Sequence, residues 1–257
     1  MVAVSRLERV RLPARARATG VTLLAALLGA CTSGQADTPD PAAESQEVRH
    51  NELREAERAD GWELLFDGST MDGWRPYEAP GETVGWGVMD GMLTRTGPGG
   101  DIVTDRAFAD FELTLEWRVE DAGNSGIFYR AALGEEWIYH SAPEMQVLDD
   151  AGHYDGGDPL TSAGANYGLD PAPRGVVRPA GEWNEARIVV NGASVEHWLN
   201  GTRVVAYELW SDAWETKVAN SKFVEWPAYG RAEVGHIGLQ DHGDPVWYRN
   251  IKIREIS

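Results

Sequence analysis

Phe111-Glu112-Leu113-Thr114-Leu115-Glu116-Trp117-Arg118-Val119 decides the fold class. Its odd positions are apolar and its even positions polar or charged, the period of two that a half-buried antiparallel strand requires and a poor match to a helix. Runs of the same kind follow at 125–131, 144–148, 186–190, 195–199, 204–209, 234–239 and 246–253. Asn191-Gly192 and Asn200-Gly201 punctuate them, and Asn-Gly supplies the positive φ angles of a tight hairpin. Only 51–59, a short polar lead-in, and 210–219 read as helices. Nothing helical alternates with the strands as a parallel α/β fold would need, so the expectation is an all-β antiparallel sandwich with short peripheral helices.

The 257 residues carry 23 Lys+Arg against 41 Asp+Glu, a formal charge of -18, with 42% hydrophobic residues. This is a globular composition. Its acidity argues against holding nucleic acid by surface charge, so the expected partner is neutral. Eleven Trp exceed 8 Tyr and 5 Phe, and all lie between Trp62 and Trp247, which assigns the folded unit to 49–257. The lone cysteine excludes an internal disulfide framework and a multi-cysteine zinc site.

That cysteine has a context. Arg6, Arg9, Arg11, Arg15 and Arg17 precede the apolar run 21–28, a basic segment and a hydrophobic segment too short to span a bilayer. Leu28-Gly29-Ala30-Cys31 resembles the lipobox of bacterial lipoproteins, which implies a signal peptide over 1–30 and lipid attachment at Cys31. Removing 1–30 takes five Arg and Glu8, leaving 18 Lys+Arg against 40 Asp+Glu and a charge of -22. Residues 31–48 have the composition of a flexible tether. Thr32, where the sorting pattern would place Asp to retain a lipoprotein, implies the outer membrane, and hence a cell-envelope protein whose membrane partner is reached through its lipid.

Several segments are too specific for scaffolding: 124–130 (NSGIFYR), 143–150 (PEMQVLDD), 181–184 (GEWN), 221–223 (SKF) and 235–243 (GHIGLQDHG). In this order, and from 61–68 (GWELLFDG) to 246–253 (VWYRNIKI), they resemble the 3-keto-disaccharide hydrolase family. The resemblance implies a concanavalin-like jelly roll and cleavage of 3-keto-glycosides. A keto group at sugar carbon 3 acidifies the hydrogen on carbon 2, so a base removes it, the carbon 1 substituent leaves, and water then adds to the 2-hydroxy-glucal.

Such chemistry needs a base, an acid and donors to the enolate. Glu144 and Gln146 share a strand face by parity, and Asp149 joins them only through a one-residue bulge. The spacing resembles the Glu-x-Asp-x-x-Glu strand of jelly-roll glycosidases, but Gln146 and Asp149 replace acidic partners, which argues against ordinary two-carboxylate hydrolysis. Glu144 is the candidate carboxylate of the acid or base pair. Lys222 or Arg130 is the candidate enolate stabiliser, and His242 or His140 the other proton carrier. Asn124 and Arg130 share parity on their strand, as do Gln240 and His242 on theirs. The alternative for 240–243 is a turn held by its own side chains. Trp183, Trp137, Tyr129 and Tyr167 are candidates to stack on a pyranose. His140, Asp149, His153 and Asp155 have no recognised metal-ligand spacing, so no cofactor is expected, although the acidic residues leave a divalent ion open. A non-catalytic carbohydrate-binding module is the alternative function, a structural envelope lipoprotein the third, and nothing in the sequence speaks to oligomeric state.

Overall fold

A computed structural model describes residues 49–77 and 85–256; the signal segment, Cys31 and the tether lie outside them. In chain order the elements are helix α1 (Glu55–Ala59), strands β1 (Trp62–Leu64), β2 (Trp74–Pro76), β3 (Trp86–Met89), β4 (Met92–Arg95), β5 (Ile102–Phe108), β6 (Phe111–Val119), β7 (Asn124–Ala131), β8 (Glu144–Leu148), β9 (Asn184–Asn191), β10 (Ser194–Leu199) and β11 (Thr202–Glu208), helix α2 (Asp212–Ala219), then β12 (Gly235–Leu239) and β13 (Val246–Glu255). One sheet runs β11-β10-β9-β6-β13-β4-β3, with β1 also on β13; the other runs β2-β5-β12-β7-β8. All pairings are antiparallel.

The two sheets pack face to face through the alternating residues read above. Leu113, Leu115, Trp117 and Val119 of β6 join Ile127, Tyr129, Met145, Val147, Ile237 and Leu239 of the second sheet in one core. The fold is therefore the expected antiparallel β-sandwich. Strands β1 to β4 escaped the sequence pattern because they are three or four residues long, too short to display a period, and the seven-residue β5 escaped it because its burial does not alternate, with Ile102, Val103 and Thr104 all buried. Among the described residues no helix is long and apolar enough to cross a membrane.

A polar clasp ties the chain entry to the longest strand. β13 slips register between Arg249 and Lys252, where Asn250 takes φ 53° opposite Asn51 at φ 59°. The Asn51 amide donates to Asn250 Oδ1 (2.6 Å), the Asn250 amide donates to Asn51 Oδ1 (2.8 Å), and Asn51 Nδ2 reaches Gly91 O (2.8 Å). Asparagine tolerates the left-handed conformation and bonds the backbone from it. Asn51→Ala leaves these buried groups unpaired and is expected to lower stability by about 2 kcal/mol, read as a lower urea midpoint; an unchanged midpoint would remove the clasp from the folding account.

Candidate active site

The outer face of the second sheet carries the site because two of its positions are glycines. On β8, Met145 and Val147 enter the core, so Glu144 and Gln146 point outward. Gly126 lies opposite Gln146, and a Cβ there would sit 2.1 Å from Glu144 Oε1; its missing side chain is the space the carboxyl occupies. A Cβ on Gly238 would meet Ile138 Cδ1 at 2.4 Å, so the 3-10 turn Ile138–His140 settles onto the sheet there. A second, smaller core of Tyr77, Val103, Phe128, Ala131, Ile138 and Ala142 anchors that turn, with Tyr139 packed against it.

A second 3-10 turn, Lys222–Glu225, faces the first. Ser221 caps it by accepting from the Phe223 amide. Phe223 is its root in the main core, stacked on Tyr229 at 3.9 Å. Trp226 joins the two turns by stacking on the His140 ring (4.5 Å, 17°). This presents the Lys222 ammonium to a cage of rings, 4.5 Å from the Tyr167 centroid, 5.2 Å from Phe223 and 5.5 Å from Tyr139. Tyr167 is tied to β8 by its backbone amide, which donates to Glu144 O (3.0 Å).

The electrostatics follow from burial. Glu144 is 7% exposed, and desolvation pushes its carboxyl up to about 8, opposed by the Lys222 charge and reinforced by Asp101 and Asp155. Among the described residues no cation comes within ion-pair distance of Glu144; its near partner is the Gln146 amide nitrogen, 3.1 Å from Glu144 Oε1 and 3.1 Å from Ser125 O when the amide is oriented to suit both. Lys222 is exposed as a residue, yet partial desolvation of its ammonium lowers its pKa, opposed by Glu144 and Asp155. Tyr167 is pushed up to about 12 by burial, then by Asp155 and Glu144. A buried carboxyl raised to about 8, in the field of an ammonium that no described residue pairs in a salt bridge, is an arrangement for moving protons.

Of the residues singled out in the sequence, Glu144, Gln146, Lys222, Tyr167 and His140 come together here. The His140 ring nitrogens bond to no described residue. Asn124 points outward farther along β7, 3% exposed, with Oδ1 unpaired among the described residues and its backbone N–H donating to Asp244. Gln240 lies half-buried just beyond β12, its amide held by Gly126 O (3.0 Å). His242 is exposed beyond that strand, 3.5 Å from Asp244 and with its ring 6.1 Å from that of His153. Asp241 between them accepts from Arg95 and Gly243, so 240–243 is in part the self-held turn.

Four expectations are corrected. Tyr129 faces the core and is fully buried, its hydroxyl bonded to His197 and Tyr207, so no sugar reaches it. Arg130 sits at φ 51°, which breaks the strand alternation; its side chain is 3% exposed, with Nε and Nη2 donating to Ala109 O and Nη2 to Asp110. Asp149 is not brought to Glu144 by a bulge, because β7 and β8 pair without a register shift; its carboxylate accepts from the Ala122 and Ala151 amides and shapes a turn. Trp183 stacks between Arg118 (5.0 Å) and Arg249 (3.9 Å) on the outer face of the other sheet.

Tyr139, Trp226, Asp101 and Asp155 carry no sequence signal that marks them as members of this site. They sit in 3-10 turns and loops, where no hydrophobic period marks the facing side. Trp137, 46% exposed and stacked on Tyr139, was the one signal of an aromatic wall. Among the described residues no three His, Cys, Asp or Glu converge as metal ligands.

With this geometry in view, the comparisons with known proteins are specific. A family model described as the 3-keto-alpha-glucoside-1,2-lyase-like domain matches residues 61–254. The chain is 37% identical over 231 residues to a 3-keto-disaccharide hydrolase of Bacteroides thetaiotaomicron, covering 77% of this chain and 80% of that one. It is similar to a crystal structure from Parabacteroides distasonis described as a glycosyl hydrolase, with 31% identity, 81% and 100% coverage of the two chains and a TM-score of 0.75. A second structure from that organism with the same description gives 29% identity, 76% and 99% coverage and a TM-score of 0.59.

Proposed function

Because this chain belongs to the 3-keto-alpha-glucoside-1,2-lyase-like domain family, we propose that it is an enzyme that cleaves 3-keto-disaccharides by elimination across carbons 1 and 2, followed by hydration. The observation that carries this reading is Glu144: a buried carboxyl on an open sheet face, raised to about 8 by desolvation and matched with the Lys222 ammonium. A base works best when its pKa lies near the working pH.

In the first half, the Glu144 carboxylate takes the carbon 2 hydrogen and the electron pair moves into the enolate of the carbon 3 ketone. The enolate collapses, the carbon 3 carbonyl re-forms, a double bond forms between carbons 1 and 2, and the carbon 1–oxygen bond breaks. In the second half, carbon 2 takes a proton from Glu144, whose carboxyl has exchanged with solvent once the 2-hydroxy-glucal has formed, while water adds its hydroxyl to carbon 1 and its remaining proton replaces the one taken by the leaving oxygen. The net reaction is hydrolysis, and it asks for no cofactor. The Lys222 cation offsets the negative charge that develops on substrate oxygens, an effect strengthened in a ring-lined, partly dehydrated site. His140 and Gln146 are within the same cluster to bind ring hydroxyls, and a neutral sugar suits a site holding Glu144, Asp101 and Asp155.

The test is release of glucose by the purified protein from 3-keto-trehalose and from unoxidised trehalose. Release from the keto sugar alone is expected; equal release from both would replace elimination by direct hydrolysis, and binding without release would make this a carbohydrate-binding protein. Gly126→Ala gives a second check. The added methyl displaces the end of the Glu144 side chain rather than backbone, so a loss of about 10 to 100-fold in kcat/KM is expected with the urea midpoint little changed, since a misplacement of about 1 Å costs on that order. Full activity would mean the carboxyl position does not matter.

Lipid anchoring at Cys31 in the outer membrane is part of the same proposal. Cys31→Ser is expected to move the protein from the membrane pellet to the soluble fraction, since the lipid supplies the attachment; retention in the pellet would contradict it.

A further inference from the structure

Lys222 stands on a boundary. A cavity of about 330 Å³ is lined by Lys222, Tyr167, Thr161, Lys217, Asn220 and Phe223, with Ser221, Gly168 and Leu169 completing it; Glu144 is not among its walls. Yet both Lys222 and Tyr167 also belong to the surroundings of Glu144, Lys222 through its charge and Tyr167 through its amide bond to Glu144 O. The same ammonium therefore lines the cavity and acts through its charge on the buried carboxyl.

The cavity has the size and chemistry for one sugar ring. Its volume is at the lower end of the range for ligand pockets, roughly 300–1,000 Å³. Its walls offer the Lys217 ammonium, held by Asp170, the Asn220 amide and the Thr161 hydroxyl, with Tyr167 and Phe223 as apolar surfaces. Mixed donors and aromatic edges suit a polyhydroxylated neutral ring.

Bond geometry then decides which side is which. A base at carbon 2 and a proton donor at the glycosidic oxygen must flank adjacent atoms, and whatever leaves lies beyond that oxygen. We infer that the cavity seats the leaving sugar of a 3-keto-disaccharide and that Lys222, at its boundary with Glu144, donates the proton to the departing oxygen. The inference rests on the proposed elimination. Lys222 gives one proton to the leaving alkoxide as the carbon 1–oxygen bond breaks, and the neutral amine regains one from the water whose hydroxyl adds to carbon 1. No other reactant is required.

Two comparisons of kcat/KM test it, using the full purified chain. The first sets 3-keto-trehalose against the 3-keto derivative of 4-nitrophenyl glucoside, whose leaving group departs as a stable anion without a proton. Lys222→Met is expected to lose at least 100-fold on the disaccharide and less than 10-fold on the nitrophenyl substrate; equal losses overturn the donor role. The second sets the disaccharide against methyl 3-keto-glucoside, whose leaving group fills none of the cavity. Asn220→Trp, which fills it, is expected to lower the disaccharide-to-methyl ratio at least 10-fold, with Asn220→Phe as the smaller replacement should the tryptophan variant not fold. An unchanged ratio in the folded variant overturns the seating. A parent protein inactive on all three substrates would instead overturn the elimination reading, and this inference with it.

Discussion

Glu144→Gln is expected to lower kcat/KM on a 3-keto-disaccharide by about 10³-fold, within the range that a positioned general base contributes, and at the same time to make the protein more stable at alkaline pH. The two effects share one cause. The Glu144 carboxyl is held up to about 8 by burial, above its unfolded value of 4.5. A carboxyl raised in this way favours the folded state fully below the unfolded pKa, and that contribution is lost as pH rises through about 8. Above that pH the fold carries a buried carboxylate, at a cost on the order of 5 kcal/mol from ~1.36 kcal/mol per tenfold change in proton affinity. Glutamine removes the charge, keeps the shape and still accepts from Gln146. Thermal unfolding at pH 9 is therefore expected several degrees higher in the variant than in the parent, with little difference at pH 4. A variant that loses activity and also loses stability at pH 9 would mean that the carboxylate is a structural partner instead.

Lys222→Met is expected to reduce turnover of the disaccharide by about 10² to 10³-fold, the scale on which one pre-placed charge stabilises a transition state, and to move the pH profile in a set direction. In the parent, kcat/KM rises with pH as Glu144 ionises, through about 8. Lys222 lowers the Glu144 pKa, so its removal shifts the rising limb to higher pH; Asp155 raises it, so Asp155→Asn shifts the limb to lower pH. The opposite shifts of these two variants, measured on one substrate, distinguish an electrostatic role at Glu144 from a loss of packing, which would lower the rate without moving the limb. Methionine preserves the apolar stem among Tyr139, Tyr167 and Phe223.

Much of this was legible in the chain, and the rest failed for identifiable reasons. The alternation at 111–119 and the hairpin signals at 191–192 and 200–201 led directly to the sandwich, because one buried face forces a period of two. Parity also placed Glu144 beside Gln146. It failed for Tyr129 because alternation separates the two faces of a strand without saying which one meets the opposing sheet, and for Arg130 because a single left-handed residue resets the alternation. Trp183 was misassigned since tryptophan serves a cation ladder on one sheet as readily as a sugar on the other. The wall built by Tyr139 and Trp226 was invisible, since it depends on two 3-10 turns meeting across more than eighty residues of chain, held by the space that Gly238 leaves for Ile138. The burial of Glu144, from which its chemistry follows, depends in part on the missing side chain at Gly126 across the sheet, which no period marks.

The most direct measurement follows the hydrogen on carbon 2. With 3-keto-trehalose deuterated at that position and the parent protein in ordinary water, removal by Glu144 puts the label in solution as each glucose is released. The expected result is 3-keto-glucose without deuterium at carbon 2, formed faster than the product loses label on its own, and no such loss with Glu144→Gln. Glucose release with the deuterium retained at carbon 2 and at a rate the label does not slow would show that the bond breaks without deprotonation and would contradict the elimination.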